Sequence, residues 1–156
     1  MKRRSFIQTS GILGAGLVFN KFTALGATPS SFPVVRTPAD KRHFSSTAVE
    51  RTIQTFKSGV KNEELGWLFE NCFPNTLDTT VFHEVKNGRP DTYVITGDID
   101  AMWLRDSSAQ VWPYLQLVKE DSKLQQLIAG VINRQTECIL KDPYANAFYN
   151  DENKRG

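Results

Sequence analysis

The sequence predicts a mainly helical domain that carries one small β-hairpin. Three observations lead there. Apolar residues recur at three- and four-residue spacing over most of the chain after residue 40, two short β-branched or aromatic runs flank an Asn-Gly pair, and nothing alternates strand with helix as parallel βαβ units require.

Residues 1–27 read as an export signal. Lys2, Arg3 and Arg4 form a basic start, residues 12–19 an apolar run, and small residues follow at 24–27. The run is too short for a membrane span. Arg3-Arg4-Ser5-Phe6-Ile7 points to the twin-arginine route, although Lys2 and Gln8 depart from the usual flanks. Lys2, Arg3, Arg4 and Lys21 lie in this segment, so of 19 basic and 17 acidic side chains the remainder keeps a net charge near −2. The basicity of the whole chain thus belongs to the signal, and no basic patch suggests a nucleic-acid partner.

Residues 28–39, rich in Ser, Thr and Pro, predict an extended linker, with order expected from Asp40. A stripe of Phe44, Ala48, Ile53, Phe56 and Val60 predicts a first helix, interrupted at Gly59. Asn62 with Glu63 and Glu64 predicts the capped start of a second, with Leu65, Leu68, Phe69 and Cys72 as its buried face and Pro74 as its end. Residues 79–85 and 93–96 predict a hairpin turning over Asn87-Gly88-Arg89-Pro90. A helix starting near Ser108 would tolerate Pro113 within its first turns. Asp121 caps the last helix, with Leu124, Leu127, Ile128, Val131, Ile132 and Cys138 on its apolar face. The chain reaches Gly156 without a terminating pattern, so it is expected to be an incomplete fragment with exposed apolar faces when made alone.

Cys72 and Cys138 leave two readings open, a bridge in an oxidising compartment or two buried thiols. His43 and His83 are isolated and read as surface or packing residues. No Cys-x-x-Cys, His-rich cluster, Gly-rich phosphate loop or repeat is present.

The densest chemistry lies in residues 96–108, Thr-Gly-Asp-Ile-Asp-Ala-Met-Trp-Leu-Arg-Asp-Ser-Ser. Asp98, Asp100 and Asp106 offer carboxylate acceptors, Arg105 a fork of donors, and Trp103 a flat apolar face with one N–H. A sugar asks for this set, with hydroxyls for the charged groups and a ring face for the indole. Asp106 with Ser107 and Ser108 also reads as a cap for the apolar segment 109–118. An Asp-x-Asp pair such as Asp98 and Asp100 is likewise found around Mn²⁺ or Mg²⁺ in metal-dependent glycosyltransferases, although no nucleotide-binding βαβ context accompanies it here.

The run at 97–110, Gly-Asp-Ile-Asp-Ala-Met-Trp-Leu-Arg-Asp-Ser-Ser-Ala-Gln, resembles the N-terminal signature of glycoside hydrolase family 125. Val111-Trp112-Pro113-Tyr114-Leu115 and Asp142-Pro143-Tyr144-Ala145-Asn146-Ala147-Phe148 extend the resemblance, which covers most of residues 40–156. The shorter Arg-Asp-Ser element is also similar to a turn in glucoamylases and trehalases. The resemblance implies an exo-acting, inverting, metal-independent α-1,6-mannosidase without cofactors, residues 40–156 being the N-terminal part of an (α/α)6 barrel. It further implies that Asp98, Arg105 and Asp106 bind the terminal mannose, that Trp103 walls the pocket and that Asp100 joins them. The general acid Asp and general base Glu would then lie beyond Gly156, leaving this chain inactive alone. Arg105 agrees, since a carboxylate beside a guanidinium serves better as an acceptor than as an acid. A non-catalytic carbohydrate-binding protein is the alternative of a different class.

Overall fold

The computed structural model describes residues 32–151 and 153–154, so the export signal expected at 1–27 lies outside the described residues. From Pro33 onward the chain forms one unit. Its helices are α1 (Thr47–Gly59), α2 (Glu63–Cys72), α3 (Asn75–Thr79), α4 (Leu104–Val111) and α5 (Ser122–Lys141). Two short antiparallel pairs accompany them, β1 (Val81–Lys86) with β2 (Arg89–Val94), and β3 (Met102–Trp103) with β4 (Ala147–Phe148). A mainly helical chain with a hairpin is therefore what is found. The second strand pair was not foreseen, because two-residue strands leave no periodicity to read.

The stretch before α1 has no regular structure over residues 33–38, yet it is fastened before Asp40. Arg36 donates from Nε to Asp78 (2.8 Å) and from Nη1 to Glu50 (2.9 Å), and Arg42 reaches Glu50 at 3.2 Å. The Asp78 side chain is 3 % exposed, and burying that charge is tolerable only with the two guanidinium groups beside it.

Ser46 caps α1 by accepting from the Val49 amide, which places Phe44 outside the helix. Asn62 caps α2 by accepting from the Leu65 amide, as expected. The buried side of α2 differs from the expected one: Leu65, Leu68 and Cys72 are exposed, whereas Gly66 is buried and Phe69 packs on the core. An aromatic series decides that orientation. Phe56, Phe69, Phe73 and Tyr114 follow one another at centroid distances of 4.1, 4.7 and 5.4 Å, which holds Phe69 inward and turns the leucines outward. Burial pushes the Tyr114 hydroxyl up to about 12, and it donates to the Phe73 carbonyl.

The hairpin turns over Asn87 and Gly88 alone, at φ of 51° and 77°. Such a two-residue turn matches the strand twist, so Arg89 and Pro90 enter β2 instead of the turn, and Pro90 pairs with Val85. Helix α5 lies against β2 at very close range. A Cβ at Gly130 would sit 2.2 Å from Thr92 Oγ1 and 2.9 Å from the Asp91 backbone, so only glycine permits the approach. Arg134 then grips Asp91 with two nitrogens, Nε at 2.7 Å, and Thr92 Oγ1 donates to the Leu127 carbonyl. Because that proton goes to Leu127, Nδ1 of His83 donates to Thr92 Oγ1. His43 donates through Nδ1 to the Val81 carbonyl and lies 4.7 Å from Phe82, so both histidines serve packing.

Val49, Ile53, Leu77, Val81, Val94, Met102, Leu124 and Leu127 form the centre of the core. Burial of each such side chain contributes roughly 1.5–3 kcal/mol. Asp121 caps α5 through the amides of Lys123 and Leu124, and also accepts from Ser46, which ties the starts of α1 and α5 together. Ile132, expected on the buried face of α5, is 59 % exposed. Trp112, Leu140 and Tyr144 are exposed as well, in keeping with the apolar faces expected at the surface. Cys72 and Cys138 are free thiols. Only Cys138 is buried, and burial pushes it up.

Candidate functional site

Helix α4 begins at Leu104, not near Ser108. Trp103 stands at the N-cap position without a side-chain hydrogen bond, so Asp106 is not a cap but lies in the first helical turn. Four residues of earlier helix are possible because a backbone partner replaces the cap: the Leu104 amide donates to the Asn146 carbonyl at 3.1 Å, continuing the β3–β4 pairing into the helix. Ser108, expected to start the helix, instead turns back to the Leu104 carbonyl.

This start presents the charged groups outward. The Arg105 side chain is 90 % exposed, with Nη2 at 3.3 Å from Asp106 Oδ1. Trp103 is 39 % exposed, so its ring is half available. These three side chains border a surface depression of about 530 Å³ that Thr96, Gly97, Asp98, Ile99, Ala109 and Gln110 complete. A second hollow against Asn146 shares Trp103, Arg105 and Asp106. Asp98, Trp103, Arg105 and Asp106 are thus brought together. Asp100 is not among the lining residues, and its carboxylate lies 3.8 Å from Lys154 Nζ. Among the described residues no group of three or more His, Cys, Asp or Glu is arranged to hold a metal ion.

Several positioning residues carry no signal in the sequence. Gln135, on α5, places Nε2 within hydrogen-bonding distance of the Leu104 carbonyl and of the Ser107 and Ser108 hydroxyls, at 3.0, 2.9 and 2.9 Å, and its two N–H groups, shared among these acceptors, fix the first turn of α4. Asn146 acts through its backbone. Thr96, 3 % exposed, accepts from the Trp103 amide and donates to the Ala101 carbonyl. A one-sided helix pattern or a polar loop hides such roles, since the partners are distant in sequence. Gln110 has its Oε1 buried without a hydrogen-bond partner among the described residues.

A mainly helical frame with a forked cation, carboxylates and an indole around one surface depression is the class of structure that results. Comparison with known proteins gives the class a family. Residues 62–156 match the model of the metal-independent alpha-mannosidases, glycoside hydrolase family 125. The chain belongs to this family. It is 49 % identical over 121 residues to the meiotically up-regulated gene 157 protein of Schizosaccharomyces pombe, a match covering 77 % of this chain and 24 % of that one. It also superimposes with a TM-score of 0.64 on a metal-independent alpha mannosidase of Streptococcus pneumoniae, solved in a non-productive complex with alpha-1,6-mannobiose. That match is at 45 % identity and covers 73 % of this chain and 26 % of the other. The chain spans about a quarter of the length of these relatives.

Proposed function

We propose that the protein works in an exo-acting α-mannosidase that releases single mannose units from the non-reducing ends of α-1,6-linked mannosides with inversion. The observation that carries this is the joint presentation of Trp103, Arg105 and Asp106, with Asp98, around one depression in a chain of family 125. The complex of the pneumococcal relative with α-1,6-mannobiose supports the choice of linkage.

In this reading Arg105 and Asp106 hold hydroxyls of the terminal mannose in the fixed geometry that a planar fork and a carboxylate provide, while Trp103 covers a ring face. Asp98, which borders the same depression, adds an acceptor. Asp100, turned to Lys154, contributes less. Inversion needs an acid on the leaving oxygen and a separate base that activates water, placed far enough apart to admit it. The cluster serves binding, and the acid and base come from elsewhere in an (α/α)6 barrel of which residues 40–156 form one part. Export through the Arg3-Arg4 signal places the enzyme in a periplasm or outside the cell.

The test is incubation of the full-length gene product with α-1,6-mannobiose while the anomer is followed by NMR. β-Mannose appearing first is the expected result, and α-mannose first would remove the inverting mechanism. Replacing Arg3 and Arg4 by Lys is expected to retain the protein in the cytoplasm, and unchanged export would rule out the twin-arginine route.

A further inference from the structure

Among the described residues, strand β3 has a neighbour on one edge only. Along two residues, alternate amides point to opposite sides. The Leu104 amide follows the β4 side to Asn146, so the Trp103 amide faces away from β4 and needs another partner. Thr96 provides it. Its Oγ1 lies 2.9 Å from the Trp103 nitrogen and 3.1 Å from the Ala101 carbonyl oxygen, while its own amide reaches the same carbonyl at 3.0 Å. One buried hydroxyl therefore stands in for a third strand and closes the loop 97–100, whose entry bends at Gly97 with φ of +81°. That loop carries Asp98, and the strand it closes onto carries Trp103. Both side chains border the depression that Arg105 and Asp106 complete.

We infer that Thr96 is a positioning residue for sugar recognition: its hydroxyl, engaged by the Trp103 amide and the Ala101 carbonyl, sets the distance between Asp98 and the Trp103 ring. The inference rests on the sugar reading of the depression. The residue accounts for a feature that the charged groups leave open, namely how a loop with four exposed residues keeps a defined relation to a half-exposed indole. The helical turn that carries Arg105 is fastened separately, through Gln135, so loss of Thr96 loosens the part of the depression formed by loop 97–100 and leaves that turn in place.

The experiment compares Thr96→Val, which keeps the shape and removes the hydroxyl, with Thr96→Ser, which keeps the hydroxyl, both in the full-length gene product. Two quantities are read: hydrogen exchange of the peptide spanning Trp103, and the kinetics on α-1,6-mannobiose. Thr96→Val is expected to speed exchange at that peptide and to raise KM by about tenfold, the size of one or two lost hydrogen bonds, while kcat changes less than about threefold. Thr96→Ser is expected to restore both. Faster exchange with unchanged KM would overturn the positioning role, as would unchanged exchange or a Ser variant as impaired as Val. Should Thr96→Val not fold, Thr96→Ala takes its place in the same comparison. A wild-type protein that neither cleaves nor binds the disaccharide would remove the sugar reading, and with it this inference, while the exchange result would separately show whether Thr96 holds Trp103.

Discussion

Two arginine–aspartate pairs in this protein share their chemistry and differ in their surroundings. Arg134 and Asp91 meet between α5 and β2 with side chains 12 % and 7 % exposed, joined by Lys86 at 3.1 Å. Arg105 and Asp106 are neighbours in sequence, 90 % and 44 % exposed, and touch at a single 3.3 Å contact. The first pair is engaged within the protein, Arg134 giving two nitrogens to Asp91, which Lys86 also reaches. The second leaves most of the guanidinium's five donors and a carboxylate oxygen free for something that is not the protein. Exposure, not residue type, separates a group that holds the fold from one that can hold a ligand.

The comparison breaks most visibly at the buried pair. Arg134→Met is expected to cost about 3 kcal/mol, because it leaves the buried Asp91 carboxylate with only the half-exposed Lys86 as ion-pair partner among the described residues, and adding Asp91→Asn should recover part of the loss. Urea denaturation of the two variants measures this, and a single variant within 1 kcal/mol of the parent would show that the pair is not the fastening described. Arg105→Lys and Asp106→Asn invert the pattern. Each should leave the thermal midpoint nearly unchanged but reduce kcat/KM on α-1,6-mannobiose by roughly 30- to 1,000-fold, equivalent to about 2–4 kcal/mol. A shifted midpoint with intact turnover would return Asp106 to a purely helical role.

Asp121 lies between these extremes. Asp121→Ala removes the cap of α5 and the contact to Ser46, and is expected to cost about 1–2 kcal/mol. The same carboxylate links folding to pH. Burial opposes its ionisation, but the Ser46 hydroxyl and the amides of Leu124, Ala48 and Lys123 prevail and hold it below the ordinary value. Asp91 behaves alike, with burial outweighed by Arg134 and Lys86, and Glu50 is lowered by Arg36. A folded value below the unfolded one means that this stability is present above the ordinary carboxylate range near 4 and is lost as pH falls through the lowered values. Thermal midpoints should therefore drop on acidification below about pH 4, less steeply in Asp121→Ala. An identical acid profile in that variant would remove Asp121 from the account.

The smallest effect is expected where two carboxylates of the acidic loop diverge. Asp98 borders the depression and Asp100 faces Lys154. Asp100→Asn should alter KM less than Asp98→Asn, and the reverse order would mean that the loop turns over when sugar binds.

What could be read from the sequence follows the reach of the interactions. Asn62 and Asp121 were legible as caps because the residue and the amide it serves are three positions apart. The hairpin was legible because Asn87-Gly88 makes its own turn. Ser108 failed as a helix start because the competing partner, the Asn146 carbonyl, is remote in the chain. The outward turn of Leu65 and Leu68 failed for the same kind of reason, since the Phe56–Phe69–Phe73–Tyr114 series that dictates it draws on three separate segments. The candidate site was visible as composition in residues 96–108, whereas its arrangement was not: Thr96 and Gln135 look like ordinary polar residues until the backbone brings them to Trp103 and Leu104.

The pairing of β3 with β4 has a bearing on biogenesis. Met102 and Trp103 acquire their strand partner only when Phe148 and Ala147 have left the ribosome, and the first amide of α4 waits for Asn146. The elements that precede them can assemble during synthesis as each one's own partners emerge. The turn that carries Arg105 and Asp106 would thus mature late, after Asn146 has emerged to take its first amide.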